Sequence, residues 1–242
     1  MVTRSLKIRT ASLIMASTII TACTDAKPSL QKPQMSPIEQ AAPVPIPVPI
    51  TASTPVQTYD AFLQSVKAKR RELSLRPLDR VHTLYGWIQN DMVRHWDHTT
   101  WDFNGTSRVA GKGEIACGYF VTTLLQDLGF QIDRIRLAQE PSATMIKELT
   151  QQIKVQHTRE DMVAYVKTQP TPSIYIVGLD FHTGFISNGE DGIYFIHSNY
   201  IGREGVVKEL AASSLALSDS NYFMIGNLTA NAELLEKWSS NP

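Results

Sequence analysis

Cysteine is nearly missing from this chain, with two residues in 242, Cys23 and Cys117. Two thiols cannot build the disulfide framework that small loop-rich scaffolds depend on. Excess charge is missing too, because 23 basic residues balance 23 acidic ones. No basic patch or run argues for a nucleic-acid partner. The N-terminal apolar run covers only residues 11–21, short of the about 20 apolar residues a bilayer-spanning helix needs. His95-Trp96-Asp97-His98 fits none of the usual zinc spacings, so no metal is expected. Internal repeats are lacking.

Export signals are present. Arg4, Lys7 and Arg9 form a basic segment ahead of the apolar run, as in a signal peptide. The run ends in Ile20-Thr21-Ala22-Cys23, which resembles the bacterial lipoprotein cleavage box. The resemblance implies that residues 1–22 are a signal peptide and that Cys23 becomes the diacylated N-terminus of an exported, membrane-anchored lipoprotein. Thr24 rather than Asp follows, which in a Gram-negative cell implies the outer membrane, periplasmic face. An ordinary secretory peptide with an incidental Cys23 is the alternative. Acylation would leave Cys117 as the sole thiol, and losing the three leader cations tips the charge balance to the acidic side.

Between Pro28 and Pro55 lie eight of the thirteen prolines, including Pro43-Val44-Pro45-Ile46-Pro47-Val48-Pro49. Such a stretch builds no core and favours extended polyproline II, with a reach of at most on the order of 90 Å. Residues 23–57 therefore read as a lipidated, semi-stiff tether. Residues 58–242 are enough for one well-filled domain.

Within that domain, Tyr59, Phe62, Leu63 and Val66 recur at helical spacing, as do Leu78, Val81, Leu84, Tyr85, Ile88 and Met92. Two helices meeting near Pro77 follow. A loop rich in Trp, His and Gly is expected over 94–113, then a third helix on Cys117, Val121, Leu124, Leu125 and Leu128, closed by Gly129. Residues 132–138 read as a short strand, and 145–153 and 159–167 as helices. After Pro172, segments 173–179, 181–187, 193–200 and 222–225 are rich in β-branched and aromatic residues and read as strands; 232–238 closes the chain as a helix. N-terminal helices packed against a C-terminal antiparallel sheet define an α+β domain.

Cys117 begins the third helix, where unpaired N–H groups and the positive end of the helix dipole favour thiolate over thiol. The same groups can hold the oxyanion formed when a carbonyl is attacked. Glycines at 111, 113 and 118 permit close approach. If Asn188-Gly189-Glu190-Asp191 is a four-residue turn, Ser187 faces Gly192 and His182 faces His197, on one side of a hairpin; a five-residue loop would shift the register by one and put the pair on a diagonal. One imidazole is then placed to take the thiol proton and the other to orient it. Trp96, Trp101 and Phe103 are candidates to line a groove for sugar or peptide, and Gln139 is a polar candidate in an apolar run. The bland alternatives are a buried core thiol, hydrogen-bonded strand histidines and aromatic residues packed over helix ends.

The helix-start cysteine, the strand His182-Thr183-Gly184-Phe185-Ile186 and the strand Phe195-Ile196-His197 resemble the NlpC-type cell-wall cysteine peptidases, which are papain-like. The resemblance spans roughly residues 113–200. It implies a papain-like fold with Cys117 as nucleophile, His182 as general base and His197 as the orienting third group. The resemblance also implies cleavage of amide bonds in peptidoglycan stem peptides without a cofactor. Trp101, Phe103, Gly118 and Gln139 are, from their own positions in the sequence, the candidates to contact substrate. Ala116-Cys117-Gly118 stands where that family usually has Asp-Cys-Ser. On that difference rests the alternative of a lipoprotein that binds cell-wall peptide or a partner without turnover. An acyl transferase or amidase acting on another substrate is a third possibility.

Overall fold

The Thr58 hydroxyl accepts a hydrogen bond from the Ala61 N–H at 3.3 Å and caps α1 (Tyr59–Leu73), whose apolar stripe Phe62, Val66 and Leu73 turns inward. Beyond Pro77, α2 (Asp79–Gly86) runs through a π-helical stretch, Trp87–Met92, into α3 (Val93–Trp96). The helical segment thus outlasts the expected loop start at Arg94. Trp96 belongs to the core rather than to a groove: it is fully buried and its indole N–H donates to the Tyr59 hydroxyl at 3.0 Å.

The following loop is pinned by charged side chains. Buried Arg134 donates to the carbonyls of Thr106 and Ser107, and Arg203 pairs with Asp102 and Glu114. Helix α4 (Cys117–Asp127) comes next and stops where expected, with Gly129 at φ 93°. The segment expected as a strand over 132–138 is instead α5 (Arg134–Gln139). The Asp133 carboxylate caps it by accepting from the Arg136 N–H, and its two buried residues, Arg134 and Leu137, stand at i, i+3. Helix α6 (Ser142–Leu149) is shorter than the expected 145–153 helix at its end, because residues from 151 onward enter β1 (Gln151–Gln156). Helix α7 (Arg159–Lys167) matches expectation, with the Thr158 hydroxyl accepting from the Asp161 N–H.

Strands β2 (Ser173–Gly178), β3 (Thr183–Gly189) and β4 (Gly192–Asn199) follow as a meander. The sequence did not signal β5 (Gly205–Leu210). After α8 (Leu215–Ser218), β6 (Phe223–Asn227) and α9 (Ala232–Ser240) end the described chain. The strands form one antiparallel sheet ordered β1-β6-β2-β3-β4-β5. The molecule is therefore α+β, although β1 falls among the helices rather than after them. Outer strand β1 has a break in register between Gln151 and Lys154, and Gln152 sits at φ 54°.

Both faces of the sheet are covered, and the pleat divides the apolar residues between them. Ile174, Ile176, Phe185 and Ile196 meet α1 through α4 and α6, whereas Tyr175, Val177, Ile186 and Phe195 meet α7 and α8. The expected helices against one face account for half of this. Near the C-terminus, Trp238 stacks on Phe130 at 5.2 Å, its N–H donates to the Leu128 carbonyl, and buried Arg70 donates to its carbonyl.

The computed structural model describes residues 57–240, within the unit Ser53–Pro242. The expected signal peptide, Cys23 and most of the expected tether fall outside the described residues. Among the described residues, no helix is long and apolar enough to cross a membrane.

Candidate active site

Ala116 precedes α4 in extended backbone and provides no side-chain cap for the first N–H groups of the helix. The approach to Cys117 is fixed by backbone bonds from Ala116 to Gly105 and from Ile115 to Thr100, and by the Ser198 hydroxyl, which donates to the Ile115 carbonyl at 2.7 Å. The Cys117 sulfur faces the backbone N–H groups of Thr183, Gly118 and its own residue. Burial pushes the thiol above its ordinary pKa, and those N–H groups only partly oppose it. The helix start acts in the expected direction, but desolvation is the larger effect and the neutral thiol is favoured. Gly118 also meets a packing need: a Cβ there would lie 2.6 Å from the Ala138 carbonyl oxygen of α5.

The hairpin differs from expectation in register. Gly189 pairs with Gly192 across the two residues Glu190 and Asp191, so the ladder is displaced by two from the four-residue turn. Two tertiary contacts draw Asn188 and Gly189 out of the turn. The Asn188 amide donates to the Val166 carbonyl at 3.0 Å, and a Cβ on Gly189 would lie 1.9 Å from the Tyr85 hydroxyl. His197 therefore faces Gly184, and His182 sits on the diagonal just ahead of β3. A displacement of two preserves side-chain parity, so the imidazoles still share a face. Nε2 of His182 lies 2.8 Å from Nδ1 of His197. The missing side chain at 184 makes this possible, since a Cβ there would stand 2.8 Å from the His197 Cβ.

Both rings are buried, with Phe195 stacked on His197 at 3.9 Å and Tyr200 against His182 at 5.1 Å. Burial, then the neighbouring His197, holds His182 well below the ordinary imidazole pKa. Burial also lowers His197, against the opposing hydrogen bond with Glu209. Glu209 Oε1 lies 3.1 Å from His197 Nε2 and accepts from the Ser214 hydroxyl at 2.5 Å. The contact with His197 leads in keeping the Glu209 carboxyl below its usual range. At neutral pH the pair is thus carboxylate and neutral imidazole.

Cys117 and His182 line one cleft of about 1000 Å³, together with Trp101, Phe103, Gly118 and Gln139. His197 stands behind His182 rather than in the wall. Among the described residues, no imidazole hydrogen-bonds the sulfur; its strand contact is the N–H of Thr183, next to His182. The Gln139 amide donates to the Tyr119 hydroxyl at 3.0 Å. Phe181, 98% exposed, also lines the cleft, and its charged lining residues are Glu140, Asp180 and Asp219. His95 packs between the rings of Tyr59 and Phe62, and His98 is exposed beside Asp97. Among the described residues, no group of His, Cys, Asp and Glu is arranged to hold a metal ion.

Sequence patterning missed Glu209 because it missed β5, so no register placed this carboxylate beside His197. Phe181 falls in a segment whose composition predicts strand, whereas it belongs to the bend ahead of β3. No protein-family model, curated protein or solved structure matches this chain.

Proposed function

We propose that this chain is a lipid-anchored cysteine hydrolase of the cell envelope, papain-like and of the NlpC type, that cleaves amide bonds in peptidoglycan stem peptides. The observation that carries it is that His182 lines the same cleft as Cys117 and is backed, at 2.8 Å, by His197. The contact uses Nε2 of His182, so Nδ1 is the nitrogen left to act as base. Substrate binding would draw the sulfur from the Thr183 N–H toward it, a tightening common on passing from a free to an occupied site.

His182 takes the Cys117 proton as sulfur attacks the amide carbonyl, and backbone N–H groups at the start of α4 receive the oxyanion. The C–N bond then breaks, His182 returns the proton to the departing amine, and an acyl thioester remains. Water, deprotonated by His182, cleaves the thioester to a carboxylic acid and restores the thiol. The base contributes about 10²–10⁴-fold and each oxyanion donor about 10²–10³-fold. The test is digestion of purified peptidoglycan by the full chain and by Cys117→Ala, with released fragments identified by mass spectrometry. Loss of products in the variant is expected; equal activity, or none in either protein, sinks the proposal.

A second reading, peptide or partner binding without turnover, draws on the raised thiol and lowered His182, which favour a neutral pair. Iodoacetamide labelling across pH separates the two. A thiol that is inaccessible, or whose labelling follows the pH dependence of an ordinary free thiol, favours binding alone, whereas labelling that persists to lower pH than for an ordinary thiol favours catalysis.

A further inference from the structure

The hydrogen bonds behind His182 have a direction. Glu209 lies opposite Phe195 in the ladder between β4 and β5, and its Oε1 approaches Nε2 of His197 at 3.1 Å. An ionised carboxylate only accepts, so Nε2 of His197 carries the proton. Neutral imidazole has one N–H, which leaves Nδ1 of His197 as a lone pair. The 2.8 Å approach of His182 Nε2 to that lone pair is then a hydrogen bond only if His182 donates. The proton of His182 is therefore on Nε2, and its Nδ1 is bare.

We infer that Glu209 is a positioning residue that fixes the Nε2–H tautomer of both imidazoles in series and so exposes Nδ1 of His182 as the base. The base role rests on the proposed hydrolase function; the tautomers do not. Glu209 does not line the cleft, so its effect on chemistry passes through the two rings. The Ser214 hydroxyl, donating to the same oxygen at 2.5 Å, holds the carboxylate in place. When His182 accepts a proton, the imidazolium charge is shared through the inter-ring hydrogen bond toward the Glu209 carboxylate. The charged and titratable groups facing His197 are Glu209, His182 and, farther off, Glu204, whose carboxylate accepts from the Asn199 amide.

The test is ¹⁵N NMR of the imidazoles in the full chain as wild type, Glu209→Gln and Glu209→Ala, with turnover measured alongside. Wild type is expected to show Nε2–H in both rings. Glu209→Gln keeps an acceptor oxygen beside Ser214, so it retains the tautomers while the protonation midpoint of the pair falls by about one pH unit. Glu209→Ala brings a population of Nδ1–H in His182 and lowers kcat about 10²-fold with KM unchanged. Glu209→Gln keeps the test decisive if the alanine variant fails to fold. Nδ1–H on His182 in wild type, or tautomers and titration unchanged in both variants, overturns the inference. The expected tautomers in a wild type that cleaves nothing would support the Glu209 assignment and defeat the hydrolase proposal.

Discussion

Gly184→Ala adds one methyl group outside the groups proposed to react, and it should disable the site. The new Cβ would lie 2.6 Å from Cε2 of Phe195, and 2.8 Å from both the His197 Cβ and the Ile196 carbonyl oxygen, where ordinary contact begins at 3.4 Å. Relief requires β3 and β4 to part or the Phe195 and His197 rings to shift, by roughly 0.6–0.8 Å, in a region already packed on both faces. A shift of that size stretches the 2.8 Å inter-ring hydrogen bond to the edge of usefulness. Overpacking costs about 1–3 kcal/mol, and a domain of this size loses about 2–4 °C of Tm per kcal/mol. Misplacement of His182 on that scale should lower turnover about 10²-fold. Thermal unfolding followed by circular dichroism gives the first quantity and peptidoglycan digestion the second. A variant melting within about 1 °C of wild type with full activity would refute the packing account.

Two further outcomes follow from burial. Stability should fall on acidification below about 6.5, the ordinary histidine value: the unfolded chain protonates there first, while His182 and His197 stay neutral to lower pH in the folded state. Urea titrations at pH 7.5 and 5.5 measure this, and His182→Gln should reduce the difference; equal stability at the two pH values contradicts it. Trp238→Ala should cost about 3–5 kcal/mol, because it empties the site stacked on Phe130 and leaves the Leu128 carbonyl without its donor. Its urea midpoint should fall with little change in the imidazole resonances.

Local signals carried much of the fold. Thr58, Thr158 and Gly129 mark helix ends by side-chain or backbone chemistry within a turn, and α7 agrees with the expectation at both ends. Segments β2 and β4 were legible because continuous β-branched and aromatic runs fit a sheet buried on two faces. What escaped depends on distant partners. Arg134-Ile135-Arg136-Leu137 alternates like a strand, yet the loop carbonyls that Arg134 reaches favour a helix. Strand β5 contains Lys208 and Glu209, whose partners are the Tyr194 ring and His197 on β4. Asn188-Gly189 looks like a turn until α7 and Tyr85 claim the two residues. The two histidines met because that misplacement was even-numbered. Cys117, His182, Trp101, Phe103, Gly118 and Gln139 do line one cleft, whereas Glu209 was invisible without its strand.

The irregular outer strand has a consequence for life in a crowded compartment. β1 presents Gln151, Gln152, Lys154 and Gln156 at a free sheet margin, and the left-handed backbone of Gln152 interrupts its run of outward amides and carbonyls. A second molecule would find no continuous ladder to extend, and the charge of Lys154 would have to be desolvated in the attempt. That margin is thereby a poor template for adding strands from further copies of the chain. Removing the kink with Gln152→Val and Lys154→Val would lift that obstacle while leaving the cleft untouched.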